Sequence, residues 1–221
     1  MTREIFQSHI KELEQDMLSM SEMVIKAINH SIGALKAQNI EEAKKIIVDD
    51  IFINKKRWDI EEKCISLIAT QQPVASDLRD IIVILNIITN LERMGDHAKG
   101  IAKITIKYGN GSLIKPLIDI PRMAEKTTDM LKRSIDAFIK RNADVARAIC
   151  NEDDEIDALY NQVYRELLTF MLEDPRVITR ATYLLWVAHN LERIADRVTN
   201  ICERIVFLVT GTMEEINVSK Y

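Results

Sequence analysis

Apolar side chains recur at three- and four-residue intervals through the first half of the chain, which is the spacing of amphipathic α-helices. The first such stretch predicts a helix over most of residues 2–37. A second stretch begins after Asn39, a residue suited to a helix N-cap, and continues to Thr70. Pro73 ends that helix and suits the first turn of the next one, which we place at about residues 73–107.

A segment rich in glycine and proline separates these three helices from a second helical half. Residues 109–116 contain two of the six glycines and predict a linker. The apolar spacing then restarts and predicts three helices, over residues 123–139, from a cap at Asn142 to residue 171, and from a break at Asp174-Pro175 to residue 209. The expected organisation is a first three-helix repeat at 1–108, a linker at 109–116, a second repeat at 117–212 and a C-terminal tail at 213–221.

The second half of the sequence repeats the first. The segment from Asn90 to Asp96 recurs 100 positions later as Asn190 to Asp196. Nine further residues recur without a gap 103 positions later, as the pairs Met20/Met123, Glu22/Glu125, Ser31/Ser134, Ile32/Ile135, Ala34/Ala137, Asn39/Asn142, Ala43/Ala146, Asp50/Asp153 and Ile53/Ile156. A duplicated three-helix unit predicts an all-α fold of two tandem three-helix bundles related by a pseudo-two-fold axis.

Composition narrows the class of protein. Only 6 glycines and 4 prolines in 221 residues leave too few turn formers for a hairpin-rich sheet protein. The net charge of −4 disfavours nucleic acid as a partner. The 3 widely separated cysteines indicate unpaired thiols in a reducing compartment. Because no apolar run approaches the ~20 residues of a membrane span and no signal-peptide core follows the charged N-terminus, we expect a cytoplasmic protein.

The third helix of each half carries a pair of acids four residues apart. Glu92 and Asp96 lie on one helix face, and Glu192 and Asp196 repeat the arrangement. Like charges at this spacing destabilise a helix, so a positive charge is expected to compensate them. We expect that an arginine at the position after each glutamate, pointing about 100° away, cannot easily bridge both acids of its own helix.

A metal ion is the other candidate for that positive charge. The second helix of each half also carries an oxygen-bearing pair, Asp50 with Asn54 and Asp153 with Asp157, and should pack against the acidic pair of the third helix. Four oxygen ligands and water suit Mg²⁺, Mn²⁺, Fe or Ca²⁺ better than Zn²⁺. Asn54 predicts a weaker or differently charged first site. An acidic stripe that is merely solvated by water is the alternative.

Other chemistries find little support in the sequence. None of the four histidines has a glutamate three residues before it, which disfavours a di-iron carboxylate enzyme. There is no phosphate-binding glycine-rich loop, no Gly-x-Ser-x-Gly elbow and no Cys-x-x-Cys pair. His97 follows Asp96 and is a possible ligand, but a solvated surface histidine is the expected role, and the other histidines are expected to lie at the surface or its boundary.

These motifs resemble the PhoU family, whose members are accessory to phosphate uptake in bacteria and archaea. The resemblance covers residues 3–212. It rests on two segments of the first half, Gln71-Gln72-Pro73-Val74-Ala75-Ser76-Asp77-Leu78-Arg79 and Asn90-Leu91-Glu92-Arg93-Met94-Gly95-Asp96-His97-Ala98. It also rests on the second copy of the latter, Asn190-Leu191-Glu192-Arg193-Ile194-Ala195-Asp196-Arg197, with Gly211 near the end. It implies a cytoplasmic, dimeric protein with no catalytic activity of its own. It also implies metal clusters on the acidic pairs, here Glu92/Asp96, Glu192/Asp196, Asp153/Asp157 and, imperfectly, Asp50/Asn54.

The same resemblance implies a function and partners. A member of this family is expected to act as a negative regulator of phosphate uptake and phosphate-starvation signalling, linking the phosphate transporter ATPase to a PhoR-type sensor histidine kinase. Contact with the membrane would then be only indirect, through these partners. Two alternatives stay open: a metal-storing or metal-dependent hydrolytic bundle without a signalling role, and an inert scaffold with solvated acids.

Overall fold

The computed structural model describes residues 3–216 and contains, over that range, helices and no strand, which confirms the all-α prediction. The first half comprises α1 (Arg3–Ala37), α2 (Ile40–Gln71) and α3 (Ser76–Tyr108). The second half comprises α4 (Asp119–Ile139), α5 (Ala143–Asn151), α6 (Asp153–Glu173), a 3-10 turn (Pro175–Val177) and α7 (Ile178–Thr210). The expected tail at 213–221 lies outside the described residues beyond residue 216.

The two predicted N-caps are present and equivalent. The side chain of Asn39 accepts a hydrogen bond from the backbone N–H of Glu42, and the side chain of Asn142 accepts one from that of Val145, each at 3.0 Å. In both turns the residue before the asparagine adopts a left-handed backbone, with φ of 51° at Gln38 and at Arg141. The internal repeat therefore extends to the backbone conformation of its turns.

Three helix boundaries differ from the sequence prediction. Helix α3 begins at Ser76 rather than at Pro73, because Gln72 and Ala75 adopt positive φ values of 46° and 49° and spread the turn over the intervening residues. Helix α4 begins at Asp119, four residues before Met123. The long helix predicted after Asn142 is split at Glu152 into α5 and α6.

The break at Glu152 has a local and a tertiary cause. Three acids, Asp153, Asp154 and Glu155, form the first turn of α6, where they interact favourably with the positive end of the helix dipole. The Glu152 carboxylate also accepts two hydrogen bonds from the guanidinium of Arg133 in α4, at 2.8 and 2.5 Å. This bidentate pair fixes the break against α4.

Helices α3 and α7 lie at the centre of the molecule. They share the most extensive helix–helix contact, while α1 and α2 pack on α3 and the helices α4, α5 and α6 pack on α7. One hydrophobic cluster of buried residues extends from Phe6 in α1 to Leu208 in α7. The two repeats are therefore joined through a shared core, and the acidic pairs of α3 and α7 lie on its central helices.

Polar contacts also tie the halves and the linker together. The guanidinium of Arg141 lies 2.6 Å from the Asp80 carboxylate of α3 and 3.1 Å from the Glu14 carboxylate of α1. In the linker, the buried Lys115 ammonium is paired with Glu166 of α6. Within residues 3–216, no helix is long and apolar enough to cross a lipid bilayer.

Candidate metal centre

The structure brings the eight predicted site residues together in two groups, one in each half. The first-half cluster consists of Asp50, Asn54, Glu92 and Asp96, carried by α2 and α3. The second-half cluster consists of Asp153, Asp157, Glu192 and Asp196, carried by α6 and α7. The i, i+4 spacing places each pair on one face of its helix, and the packing of α2 on α3 and of α6 on α7 joins the pairs.

The second-half cluster concentrates negative charge in a poorly solvated place. Burial, followed by repulsion from Asp157, Asp196 and Glu192, raises the pKa of the Asp153 carboxyl to about 7. Burial, followed by repulsion from Asp196, raises the pKa of Glu192 to about 7. The pKa values of Asp157 and Asp196 are also raised, first by burial. These side chains would gain from a cation among them.

Two oxygen atoms of this cluster are buried without a hydrogen bond from any described residue. They are Oδ1 of Asp153 and Oε2 of Glu192, on side chains of residues that are only 8% and 6% exposed. Glu192 Oε2 lies 3.3 Å from Arg193 Nε and 3.4 Å from His189 Nδ1, but neither contact has hydrogen-bond geometry. An unsatisfied buried polar atom costs about 1–3 kcal/mol, and more when it is charged, so the lack of a hydrogen bond at these two oxygen atoms destabilises the fold.

The expectation that the neighbouring arginines cannot bridge the acids of their own helix is wrong. Arg93 lies 3.6 Å from both Glu92 and Asp96. Arg193 lies 3.3 Å from Glu192 and 3.2 Å from Asp196. The arginine side chain is long enough to fold back across the helix surface although its Cβ points elsewhere. The contacts are closer in the second half, where Arg193 also donates a hydrogen bond to Asp196, and they leave Asp153 Oδ1 and Glu192 Oε2 without a hydrogen bond.

The first-half cluster has a positive partner that the sequence reasoning missed. The ammonium of Lys99 lies 2.6 Å from Oδ2 of Asp50, and the Asn54 side chain donates a hydrogen bond to the same oxygen atom at 3.1 Å. The pKa of Lys99 is raised, first by the hydrogen bond to Asp50 and also by the charges of Asp96 and Glu92. The repeat offset of 100 could have revealed this residue, because it pairs Lys99 with Thr199.

Two histidines lie beside the acidic residues. Nδ1 of His97 in α3 is 2.9 Å from the side-chain oxygen of Asn190 in α7, so His97 takes part in the central helix contact and is not the solvated surface residue expected. His189 lies at the edge of the second-half cluster, with its ring 6.2 Å from that of Tyr160. Burial is the first cause of its lowered pKa, so a neutral imidazole nitrogen is available near Glu192.

The second-half cluster fits a hard cation by its chemistry. It offers carboxylate oxygens, the ligands that Mg²⁺, Mn²⁺, Fe and Ca²⁺ prefer, and it contains the two unsatisfied oxygen atoms. Among residues 3–216, no group of three or more His, Cys, Asp or Glu side chains is placed so that it could hold a metal ion. A metal ion would therefore bind this cluster only after its side chains move.

The fold and the site together define a class of protein: a duplicated, all-helical bundle with an acidic pair on the third helix of each repeat. The chain belongs to the PhoU family, because the PhoU domain model matches residues 17–105 and again residues 120–205. This finding confirms the resemblance noted in the sequence. A relative from Clostridium acetobutylicum, a phosphate-specific transport system accessory protein PhoU homolog, is 43% identical over 219 residues that cover 98% of this chain and 100% of the relative.

Two solved structures share the fold. The phosphate transport system regulatory protein PhoU from Streptococcus pneumoniae superimposes with a TM-score of 0.89 at 34% identity, over 96% of this chain and 100% of that one. PhoU from Pseudomonas aeruginosa superimposes with a TM-score of 0.88 at 33% identity, over 94% of this chain and 100% of that one. The arrangement of tandem helical repeats is thus shared over nearly the whole length of these proteins.

Proposed function

We propose that the protein is a cytoplasmic negative regulator of phosphate uptake and phosphate-starvation signalling. In this role it acts as a metal-binding adaptor between the phosphate transporter ATPase and a PhoR-type sensor histidine kinase. The relatives' names as transport accessory and regulatory proteins support the system in which it acts. The observation that carries the metal-binding part is the pair of unsatisfied, buried carboxylate oxygens of Asp153 and Glu192.

The metal would be held by the second-half cluster. Asp153, Asp157, Glu192 and Asp196 would supply its oxygen ligands, with His189 at the edge of the site. The ion, one of Mg²⁺, Mn²⁺, Fe or Ca²⁺, would neutralise these carboxylates and hold α6 against α7. We assign no catalytic step to the protein. The bound ion would neutralise the carboxylates and so stabilise the surface around them, and the protein would regulate its partners by binding to them.

A phosphate-starvation reporter in phosphate-rich medium tests the regulatory role. Deleting the gene is expected to release repression of the reporter, and the wild-type gene is expected to restore it. A gene carrying Glu192→Ala and Asp196→Ala should restore repression less well, because the support for the α6–α7 surface is lost. Asp136→Asn, at an exposed acid of α4, is the matched control and should restore repression fully. Unchanged repression in the deletion strain would refute the role.

The competing role as a metal-storing or hydrolytic bundle makes a different prediction. Storage requires many ions per chain, and hydrolysis requires metal-dependent turnover. Lys99 already neutralises Asp50 of the first-half cluster, which favours few bound ions. Elemental analysis of protein purified with added metal distinguishes the roles: many ions per chain would support storage. No metal above the level of the Glu192→Ala/Asp196→Ala variant would support the inert scaffold.

The homodimer that we also propose has a suitable surface on α2. The α2 outer face consists of Val48, Ile51, Trp58 and Ile65, which are 68%, 41%, 54% and 58% exposed. Apart from Ile65, which pairs with Leu168, these residues have polar counterparts in the second half, Asn151, Asp154 and Asn161. The fold of the repeat therefore does not require an apolar surface here, and a row of exposed apolar side chains indicates a protein contact.

Charges around the α2 outer face favour a second copy of the chain as the partner. Lys55 precedes Trp58 on the exposed side, and Asp59 and Glu62 follow it. When two α2 helices pack antiparallel about a two-fold axis near Trp58, Lys55 of one helix approaches the segment of the other that carries Asp59 and Glu62.

Trp58→Glu should convert the dimer to a monomer, because it places a carboxylate at the centre of the apolar contact. Light scattering coupled to size-exclusion chromatography measures the mass. Asn161→Glu, at the equivalent position of the second half, is the matched control and should remain dimeric. A dimer that survives Trp58→Glu at the same concentration would show that the contact lies elsewhere.

A further inference from the structure

The two acidic clusters differ at residue 99 and its counterpart, residue 199, where the first half carries a positive charge and the second half does not. We propose that Lys99 is a built-in cation that occupies the place of a metal ion in the first-half cluster, so that the protein binds metal only in its second half. This inference rests on the metal site of the proposed function, and it specifies how many metal ions bind and in which half of the protein. Residue 99 and its counterpart, residue 199, are the determinants.

The Lys99 ammonium lies in direct contact with a buried carboxylate of the first-half cluster. Its ammonium is 2.6 Å from Asp50 Oδ2, on a carboxylate whose side chain is only 4% exposed. Asn54 donates a hydrogen bond to the same oxygen atom, so Oδ2 of Asp50 already accepts hydrogen bonds from two neighbouring side chains. A metal ion that entered would have to displace a tethered ammonium and then remain beside it, which like-charge repulsion opposes.

The second half lacks this cation at the equivalent position. Thr199 follows Asp196 by three residues, as Lys99 follows Asp96. The Thr199 hydroxyl donates to the backbone carbonyl of Asp196 at 2.7 Å, and its short side chain carries no charge. The second-half cluster therefore has four carboxylates, with Arg193 and Arg197 beside Asp196 but no lysine at the α6 pair, and it is the cluster with the two oxygen atoms that lack a hydrogen bond.

Among the described residues, no cation forms an ion pair with Asp153 or Asp157 of α6, whereas Lys99 pairs with Asp50 of α2. Arg93 and Arg193 occupy equivalent positions and contact the acids of their own helices, more closely in the second half, where Arg193 also donates a hydrogen bond to Asp196. The halves also differ at Lys99, at Asn54, which stands where the second half has Asp157, and at Arg197 and His189, whose charges act on Asp196 where the first half has His97 and Thr89. Asn54 and Lys99 reduce the negative charge of the first-half cluster, and Lys99 is the difference that places a positive group in contact with the α2 carboxylate.

Exchanging the two residues tests the inference with Mn²⁺ as the probe. Equilibrium dialysis of the full chain, followed by elemental analysis, should give one tightly bound Mn²⁺ per wild-type chain and none for Thr199→Lys. Lys99→Thr combined with Asn54→Asp rebuilds the second-half ligand set in the first half and should bind two. Thr179→Lys and Lys103→Thr, at exposed positions of α7 and α3, are the matched controls and should bind one each.

Thermal unfolding in EDTA tests the built-in cation without metal. Thr199→Lys should raise the melting temperature by a few degrees by supplying the missing charge, and Lys99→Thr should lower it by a similar amount, while both controls stay near wild type. Two bound ions in the wild type, or no gain of an ion in the Lys99→Thr/Asn54→Asp variant whose first-half ligand set is complete, would overturn the inference.

The two arms also separate the inference from the proposed metal-binding function. If the wild type binds no Mn²⁺, the metal part of the proposed function fails, and the EDTA measurements alone decide the role of Lys99. Opposite shifts of the two variants would then support a built-in cation, and unchanged melting temperatures would overturn it. If the wild type binds one ion that Thr199→Lys retains, metal binding stands and the assignment of its place is wrong.

Discussion

Leu91→Ala should lower the free energy of unfolding by about 2–5 kcal/mol, and it should destabilise both halves of the protein equally. Leu91 is fully buried in α3 and belongs to the hydrophobic cluster that extends through both repeats. Because α3 packs on α1 and α2 and also on α7, a cavity at this position weakens a core that the halves share. The protein should therefore still unfold in a single transition.

The two tryptophans make this measurable, since Trp58 lies in α2 and Trp186 lies in α7. Variants with Trp58→Phe or Trp186→Phe keep one fluorescent reporter in one half. Urea unfolding should give coincident midpoints for the two reporters, displaced equally by Leu91→Ala. Leu168→Ala, at an exposed leucine of α6, is the control and should change the free energy by less than about 0.5 kcal/mol. Movement of the Trp58 midpoint alone would show that the halves unfold independently.

The helices and the repeat could be predicted because they depend on local spacing. Apolar periodicity identifies a helix without knowledge of what covers it, and the caps at Asn39 and Asn142 act within their own turns. The errors fall where tertiary contacts or unusual backbone angles decide. The end of α5 depends on the pair between Arg133 and Glu152, 19 residues apart, and the late start of α3 depends on the positive φ of Ala75.

The same distinction holds for the candidate site. Spacing was sufficient to place each acidic pair on one helix face and to bring the pairs of neighbouring helices together. It did not predict the contact of Lys99 with Asp50, because that contact crosses from α3 to α2 along a flexible side chain; the comparison with Thr199 in the repeat was the one signal for this residue. Arg93 and Arg193 bridge the acids of their own helices for a related reason: the direction of Cβ does not fix the position of a charge that lies several bonds further away.

In metal-free buffer, the protein should become more stable as the pH falls from about 8 to about 5, because burial and mutual repulsion raise the pKa values of Asp153 and Glu192 to about 7. In the unfolded chain these carboxyls ionise near their ordinary values, so between the two ranges the folded protein binds more protons than the unfolded one. Raising the pH from about 5 to about 7 therefore removes stability, and the loss is complete once both carboxyls are ionised in the folded protein. Below about pH 4 the trend reverses, because Asp16 and Glu152 have lowered pKa values and lose their ion pairs on protonation.

Chemical denaturation in EDTA at several pH values checks this slope, and neutral isosteres identify its source. Asp153→Asn combined with Glu192→Gln should remove most of the slope between pH 5 and 8 and stabilise the metal-free protein at pH 8. Asp50→Asn, the control in the first half, should instead destabilise it, since Lys99 loses its charged partner. Because a metal ion competes with protons for the same oxygen atoms, Mn²⁺ should stabilise the wild type more at pH 8 than at pH 6 and should have no effect on the double variant. A wild-type stability that rises steadily from pH 5 to 8 in EDTA would mean that the buried carboxylates are already compensated, and the case for a cation at the second-half cluster would fail with it.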